Sequence, residues 1–255
     1  MINKSISAVR LKNAGANFGT VQAVVPANLE VAVGESVALL GSSGAGKTTM
    51  LRLMGGEVHP TSGVVEIGMK LSVDLRPGRE LSSLVGMVHQ QFDLVPNLSA
   101  LQNTLAGNLG RWGLAKSVAS LVFPIGRSAA MDALQRVGIE RLAEHRVSRL
   151  SGGEQQRVAI ARVLVQDPDI VLADEPVASV DPARAESILD MLKTRLTDRN
   201  GTLVASMHSV SLARAYFPRI VGLRNGAIHF DLPSRDVTDA MLEDLYRIEG
   251  SAVES

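Results

Sequence analysis

The sequence predicts an α/β protein built on a mainly parallel β-sheet, with an antiparallel sheet near the N-terminus and a helical lobe. In the second half of the chain, apolar runs of strand length alternate with helical segments, which is typical of parallel strands joined by right-handed crossovers. From Ile6 to Val33, short β-type runs are broken by Gly15, Gly19 and Pro26, and this pattern indicates an antiparallel sheet. From about Leu98 to Arg146 the pattern is mostly helical, and a helical insertion between strands indicates a separate lobe.

Each element is predicted from its own local pattern. A fully apolar run that ends in a Gly-rich turn predicts a strand over Ser36 to Leu40, and the helical run after the turn predicts a helix over Thr48 to Met54. The turn residues at 60–63 separate this helix from further apolar runs. The other predicted strands cover 64–67, 84–88, 170–173 and 203–206, the other predicted helices cover 152–166, 182–197 and 209–216, and breaks in the helical lobe are predicted at 110–113 and 124–126.

Composition and charge exclude several classes of protein. The chain has 255 residues, no cysteine, and 26 basic against 26 acidic side chains, so its formal net charge is zero. Without cysteine there is no disulfide scaffold, no thiolate zinc site and no thiol nucleophile. A neutral chain lacks the surplus of Lys and Arg that nucleic-acid binding requires, and we expect no nucleic-acid partner. No apolar stretch approaches the roughly 18 residues needed to cross a bilayer, and residues 1–10 carry no secretory signal pattern, so we expect the protein to stay in the cytoplasm.

A phosphate-binding loop follows the first apolar strand of the parallel sheet. Residues 41–48, GSSGAGKT, match the pattern G-x-x-x-x-G-K-[ST] at every fixed position. Small residues allow successive backbone N–H groups to face a polyphosphate, and the following helix adds its positive N-terminal end. Lys47 supplies a mobile cation, and Thr48 places a hydroxyl where Mg²⁺ would bridge two phosphates. The candidate nucleotide-binding residues of this loop are Gly41, Ser42, Ser43, Gly44, Ala45, Gly46, Lys47, Thr48 and Thr49.

Two acidic residues and a histidine follow later strands of the same predicted sheet. The run 170–173 ends in Asp174 and Glu175, and open α/β sheets bind ligands at the carboxyl edge of their strands. We expect Asp174 to hold Mg²⁺ and Glu175 to accept the proton of the water that attacks the γ-phosphate. His208 follows the strand over 203–206 and is expected to contact the γ-phosphate. The competing interpretations are a solvated strand end for the two acids and an ordinary surface or core residue for the histidine.

The segment LSGGEQQR at 150–157 opens a predicted helix, and by itself it indicates a helix N-cap at Ser151. Together with the phosphate loop and the acidic pair, it resembles the signature sequence of ATP-binding cassette (ABC) ATPases, and the resemblance covers nearly the whole chain. It implies a P-loop NTPase fold of the ABC nucleotide-binding type, with a RecA-like core, an antiparallel β subdomain and a helical signature subdomain. It further implies one ABC ATPase domain over 1–255, in which 1–89 and 168–255 form the core with the β subdomain and 90–167 form the helical subdomain.

The resemblance also implies roles for individual residues. It implies that the chain binds ATP and Mg²⁺. Gln90 matches the glutamine that couples the metal site to membrane subunits, although the neighbouring Gln91 leaves a one-residue ambiguity. His208 matches the switch histidine of the family. The implied catalytic residues are Lys47, Gln90, Glu175 and His208, and the implied metal ligands are Thr48, Gln90 and Asp174.

Further implied contacts involve the nucleotide and a second subunit. Phe18 lies where the family places an aromatic side chain that stacks on adenine, with an ordinary place in the core as the alternative. The segment SVDP at 179–182 resembles the D-loop, with Val180 in place of the usual leucine. In the family each ATP lies between the phosphate loop of one subunit and the signature of the other. The implied contacts to ATP across this interface come from Ser151, Gly152, Gly153, Glu154 and Asp181.

Partners follow from the same resemblance. ATP held between two subunits implies a dimer of this chain, located peripherally at the cytoplasmic face of the inner or plasma membrane. Because the chain has no membrane-spanning run, the permease subunits are expected to be separate chains, which a solute-binding protein supplies with cargo. Phe92, Leu94 and Leu98 are expected to line the groove that receives the permease, with the core of the helical lobe as an equal alternative. His59, His89, His145 and His229 show no metal-binding spacing and are assigned no chemistry.

Several segments outside the motifs are similar to the ATPases of phosphonate importers, and this similarity implies a cargo of phosphonate or a related phosphorus oxyanion such as phosphite or phosphate. Another ABC system, for lipoprotein release, export or amino-acid import, would share every motif and is the alternative. A non-transport ABC ATPase acting on DNA or ribosomes is a third alternative, which the single phosphate loop and the absence of sustained heptads disfavour. The similar segments are 107–110, 120–124, 178–182, 210–216, 219–224, 232–234 and 237–239.

Overall fold

The computed structural model describes residues 6–76, 78–110, 126–178, 180–197 and 200–247. Within these ranges the chain forms one four-stranded and one six-stranded β-sheet. The four-stranded sheet has the order β2-β1-β4-β5, with β1 (Ser7–Phe18), β2 (Val21–Ala32), β4 (Ser62–Ile67) and β5 (Lys70–Leu71). The six-stranded sheet has the order β10-β9-β3-β8-β7-β6, with β3 (Ser36–Leu40), β6 (Val85–Val88), β7 (Ile170–Asp174), β8 (Thr202–Ser206), β9 (Arg219–Arg224) and β10 (Ala227–Pro233).

The antiparallel sheet has the predicted type but longer strands than the sequence pattern indicates. β1 and β2 run for 12 residues each and turn at Gly19, as predicted. The breaks predicted at Gly15 and Pro26 are wrong, because both residues lie inside these strands. A Cβ atom on Gly15 would lie 3.0 Å from the carbonyl oxygen of Val24, so the glycine lets the strands approach closely. The pairing of β1 with β2 shifts register near this glycine, so the two strands stay paired through Gly15 and Pro26.

The six-stranded sheet confirms the prediction of a mainly parallel sheet. β3, β6, β7, β8 and β9 run parallel to one another, and only the edge strand β10 pairs antiparallel with β9. The last two strands were not predicted as elements. The parallel arrangement brings the carboxyl ends of β3, β6, β7 and β8 to one edge, where the phosphate loop, Gln90, the acidic pair and His208 follow them.

The helices match the prediction around the parallel sheet and differ from it in the lobe. The range from about Leu98 to Arg146 was predicted to be mostly helical, and its described residues, 98–110 and 126–146, form two short helices and single 3₁₀ turns, because Ser99 caps one helix and the left-handed Gly138 (φ 68°) follows the other. Leu84 ends a helix instead of opening β6. The predicted breaks at 110–113 and 124–126 and the segment 120–124 lie wholly or mostly outside the described residues. The helices are α1 (Lys47–Met54), α2 (Arg79–Leu84), α3 (Ala100–Leu105), α4 (Arg127–Arg136), α5 (Gly152–Gln166), α6 (Pro182–Thr197), α7 (Val210–Tyr216) and α8 (Asp239–Tyr246).

Two apolar clusters cover the faces of the six-stranded sheet. Leu39 and Leu172 point to one face, where they pack with α1 and the antiparallel sheet, and Leu40 and Ala173 point to the other, where they pack with α3, α4 and α5. All four side chains are fully buried, so the ends of β3 and β7 are held rigidly from both sides. In the part of the chain that the structure describes, no helix has the length and apolar character needed to cross a bilayer.

Candidate active site

The phosphate loop connects β3 to α1, and its glycines adopt backbone conformations that favour glycine. Gly41, Gly44 and Gly46 have φ values of 155°, 79° and 98°. A Cβ atom would lie 2.2 Å from the carbonyl oxygen of Leu223 at Gly41 and 2.5 Å from that of Ala23 at Gly46. The loop is therefore shaped by close contact with neighbouring backbone. Ser42, Ser43 and Gly44 are exposed at its tip, and Ala45 is buried beneath them.

Lys47 begins α1 and turns its side chain back across the loop. Its Nζ donates hydrogen bonds to the carbonyl oxygens of Gly41 at 2.7 Å and Ser42 at 3.0 Å. Burial lowers the pKa of the ammonium group, and the charges of Glu175 and Asp174 partly offset this shift. A buried cation beside a glycine-rich loop favours an anionic ligand, since a negative charge there would stabilise the charged form of the lysine.

Asp174 ends β7 and is held by two hydroxyl groups. Thr48 Oγ1 donates to Asp174 Oδ2 at 2.7 Å, and Ser206 Oγ donates to Asp174 Oδ1 at 2.6 Å. Ser206 also accepts the N–H of Glu175 at 2.9 Å. Ser206 belongs to no predicted motif, although a hydroxyl residue at the end of an apolar strand two positions before His208 was an available signal.

The oxygen atoms of Thr48 and Asp174 fit a hard cation. Mg²⁺ prefers oxygen ligands and commonly uses one or two protein oxygens together with phosphate and water. Gln90 can add an amide oxygen at the same edge of the sheet. Within the described residues there is no cluster of three or more His, Cys, Asp and Glu side chains suited to a metal, and a magnesium site of this kind needs none.

Glu175 lies where three strand ends meet, with a left-handed φ of 54°. His208 Nε2 lies 2.5 Å from Glu175 Oε1, and Gln90 Nε2 donates to Glu175 Oε2 at 3.3 Å. The backbone carbonyl of Glu175 accepts a hydrogen bond from Gln156 Nε2 at 2.9 Å. Such a conformation costs roughly 1–3 kcal/mol in a residue other than glycine, and the bonds from Gln156 and Ser206 hold it in place.

Two of the predicted catalytic side chains, Gln90 and His208, therefore meet at the carboxylate of a third, Glu175. Glu175 is mostly buried, with 13% of its side chain exposed, whereas His208 is 53% exposed and can reach a ligand. The contact to Glu175 favours Gln90 over Gln91 as the coupling glutamine. The interpretation of Asp174 and Glu175 as a merely solvated strand end does not fit their burial. Gln156, which the sequence analysis did not select, adds a link from α5 to this site.

Ser151 forms the N-cap of α5 in a capping box with Glu154. The amide N–H and the hydroxyl of Ser151 donate to Glu154 Oε2 at 2.8 and 2.9 Å, and the N–H of Glu154 is 3.4 Å from Ser151 Oγ. The hydrogen bond from the backbone N–H of Ser151 is the largest cause that lowers the pKa of Glu154, and the bond from the Ser151 hydroxyl lowers it further. In the described part of the chain, no hydrogen bond joins 151–153 to the phosphate loop. The N-cap interpretation is therefore correct locally, and contact with a nucleotide stays a prediction.

The remaining predicted residues lie apart from this cluster. Phe18 is 52% exposed at the end of β1, so the alternative that places it in the core is wrong. Asp181 is exposed and accepts the N–H of Arg184 at 3.1 Å, while Ser179 of the same predicted motif lies outside the described residues. The groove residues Phe92 and Leu94 are half-buried against the core cluster of the lobe, and Leu98 is also half-buried.

Comparison with known proteins places this chain in a family. A family model described as ABC transporter matches residues 24–178. The chain is 47% identical over 249 residues to the phosphonates import ATP-binding protein PhnC of Anaeromyxobacter dehalogenans, covering 97% of this chain but only 50% of that protein. It is 45% identical over 232 residues to phosphonates import ATP-binding protein PhnC 2 of Pseudomonas aeruginosa, covering 89% of this chain and 86% of that protein.

Solved structures give the same result. A dimeric ATP-binding cassette in a post-hydrolysis state with ADP and Pi superposes with a TM-score of 0.79 and 34% identity, covering 90% of this chain and 100% of that chain. The site geometry and these similarities confirm both the predicted fold and the predicted family. The chain belongs to the ABC transporter family and is an ATPase cassette of that family.

Proposed function

We propose that this chain hydrolyses ATP to power an importer of phosphonate, or of a related phosphorus oxyanion, through separate permease subunits. The names of the relatives at 45% and 47% identity support the cargo class. The observation that carries the chemistry is the carboxylate of Glu175, which lies between His208 and Gln90 at the edge of the sheet that holds the phosphate loop. This arrangement combines a phosphate cradle, a place for a cation and a general base.

In the proposed reaction, the phosphate loop binds the polyphosphate of ATP, and Phe18 stacks on the adenine ring. Lys47 Nζ gives up its hydrogen bonds to the loop carbonyls and donates to phosphate oxygens instead. The negative charge of the phosphates favours the protonated lysine. Thr48, Asp174 and Gln90 would hold Mg²⁺, which supplies charge neutralisation on the phosphates. Glu175 accepts the proton of the attacking water at Oε1, once that oxygen exchanges its contact with His208 for the water. His208 is then free to contact the γ-phosphate.

A second copy of the chain completes the proposed site. The cap residues 151–154 begin the 15-residue helix α5, and a helix N-terminus attracts anions. Ser151 and Gly152 are exposed at this end, so it can contact the nucleotide of a partner copy, as can the exposed Asp181. ATP binding then closes the dimer, and hydrolysis opens it. The similar cassette with ADP and Pi was solved as a dimer, which supports this assembly.

The proposed location is the cytoplasmic face of the membrane that holds the permease. The half-buried side chains of Phe92, Leu94 and Leu98 follow Gln90 directly, so a permease segment seated there would be coupled to the hydrolysis site. A solute-binding protein would deliver the phosphorus compound to the permease from the other side. The cargo is chosen by those chains, since the residues of this site contact only nucleotide.

Two experiments test this function. In the purified chain, Glu175→Gln is expected to retain ATP binding, lower kcat by about 100-fold or more and trap an ATP-dependent dimer, whereas the exposed control Glu186→Gln should behave as wild type. Wild-type turnover in Glu175→Gln would show that Glu175 is not the general base. Affinity capture from membranes of the native host should recover a permease and a protein that binds phosphonate or phosphite. Recovery of a lipoprotein-release permease would show that the proposed cargo class is wrong. Recovery of ribosomes or DNA alone would show that the chain does not power a transporter.

A further inference from the structure

Arg162 of helix α5 makes a pair of hydrogen bonds that no motif of the sequence accounts for. Its Nη1 donates to the carbonyl oxygen of Asp93 at 2.7 Å, and its Nη2 donates to that of Phe92 at 2.9 Å. Burial lowers the pKa of this guanidinium, and the charge of Asp93 partly offsets the shift. A desolvated cation that binds two successive backbone carbonyls makes strong, charge-assisted hydrogen bonds.

The two carbonyls belong to a bend of unusual conformation. Phe92 and Asp93 have φ values of 61° and 45°, so two successive residues other than glycine are left-handed. The bend is closed by hydrogen bonds from the N–H of Phe92 to the carbonyl of His89 and from the N–H of Asp93 to that of Gln91. A strained bend of this kind persists only where surrounding contacts hold it, and Arg162 supplies two of those contacts.

The bend begins directly after Gln90, and it is attached on two sides. On one side, His89 Nε2 lies 3.1 Å from Glu57 Oε1, which follows α1 and the phosphate loop. On the other side, Arg162 attaches the bend to α5, the helix whose Gln156 donates to the carbonyl of Glu175. Gln90 lies between these attachments, and its amide reaches Glu175 Oε2.

We propose that Arg162 is a positioning residue that makes Gln90 move together with the signature helix α5, and so sets how well Gln90 is placed at Glu175. Motion of α5 relative to the phosphate loop pulls the bend through its two carbonyls and carries Gln90 with it. The planar fork of arginine reaches the two carbonyls with separate nitrogen atoms in a fixed geometry, whereas a lysine offers a single nitrogen on a flexible stem. The proposal rests on the proposed ATPase function, because its readout is hydrolysis.

A double-mutant cycle in the purified full-length chain tests this role. Arg162→Gln is expected to lower kcat for ATP by about 10-fold with less than about a twofold change in KM, and Arg162→Lys should recover part of the loss. In a Gln90→Ala background, adding Arg162→Gln should cause little further loss, since the two residues act through one contact. The exposed Arg136→Gln, in the last turn of α4, is the matched control and should hydrolyse ATP as wild type does.

The possible outcomes distinguish a failure of the role of Arg162 from a failure of the proposed ATPase function. If wild-type chain does not hydrolyse ATP, the proposed function fails. If wild type is active, unchanged kcat in Arg162→Lys and Arg162→Gln overturns the inference, and so does a full multiplicative loss when Arg162→Gln is added to Gln90→Ala. Should Arg162→Gln fail to fold, Arg162→Lys retains the charge and decides the question through the same cycle.

Discussion

Removal of the Ser206 hydroxyl is the sharpest test of how this site is held together. Ser206 is fully buried, donates to Asp174 Oδ1 at 2.6 Å and accepts the N–H of Glu175 at 2.9 Å. Ser206→Ala leaves both groups buried without this partner. The lost bond to a charged carboxylate is worth about 1.5–3 kcal/mol, and a stranded buried N–H costs about 1–3 kcal/mol. Because one site can relax to recover part of both losses, we expect a total destabilisation of about 2–5 kcal/mol.

The assay is thermal unfolding combined with ATP turnover. At about 2–3 °C per kcal/mol for a chain of this length, Ser206→Ala should lower Tm by roughly 4–15 °C. The exposed control Ser211→Ala, in α7, should stay within about 0.5 kcal/mol of wild type. At temperatures well below its Tm, the variant should also hydrolyse ATP more slowly than wild type. The reason is that the hydrogen bond from the N–H of Glu175 to Ser206 helps to hold the left-handed conformation of Glu175. A Tm within 2 °C of wild type would refute the reasoning.

Three further predictions concern the loop, the cap and the core. Lys47→Ala should weaken ATP binding by about 10-fold to 100-fold in calorimetry, because charge-assisted hydrogen bonds are lost. The control Lys193→Ala, at an exposed position, should bind ATP as wild type does. Equal affinities of Lys47→Ala and wild type for ATP would show that Lys47 does not bind the nucleotide. Glu154→Gln should cost a few tenths of a kcal/mol, roughly 0.3–0.5, in urea unfolding at pH 7, because a glutamine oxygen can still accept the N–H of Ser151 and only an exposed charge near the helix N-terminus is lost. The pKa of Glu154 is lowered in the folded chain, so the advantage of wild type should shrink as pH falls below the ordinary glutamate value, and a constant difference would contradict this. Leu172→Ala, at the fully buried centre of β7, should cost about 3–5 kcal/mol in the same assay, and a loss under 1 kcal/mol would show that the site is not tightly packed.

Local patterns predicted a large part of the fold. The helix over Gly152–Gln166 and the helix over Pro182–Thr197 have the predicted bounds, and β7 and β8 differ from prediction by one residue. These elements are regular, apolar on a buried face and bounded by caps or turns, so their own residues specify them. The helical lobe was predicted less well, since a mostly helical composition does not show where capping residues such as Ser99 end or begin each helix.

The chemistry proposed for the site was predictable from local sequence, because a phosphate loop, an acidic pair at a strand end and a signature segment are contiguous runs with recognisable residue types. How these runs are joined depends on the folded chain. Ser206 lies 32 positions from Asp174, Gln156 lies 19 from Glu175, and Arg162 lies 70 from Phe92. Such contacts depend on strand order and helix packing between distant segments, and no local pattern encodes them. The residues that position the carboxylate of Glu175, the proposed general base, were therefore visible only once the sheet had brought its strand ends together.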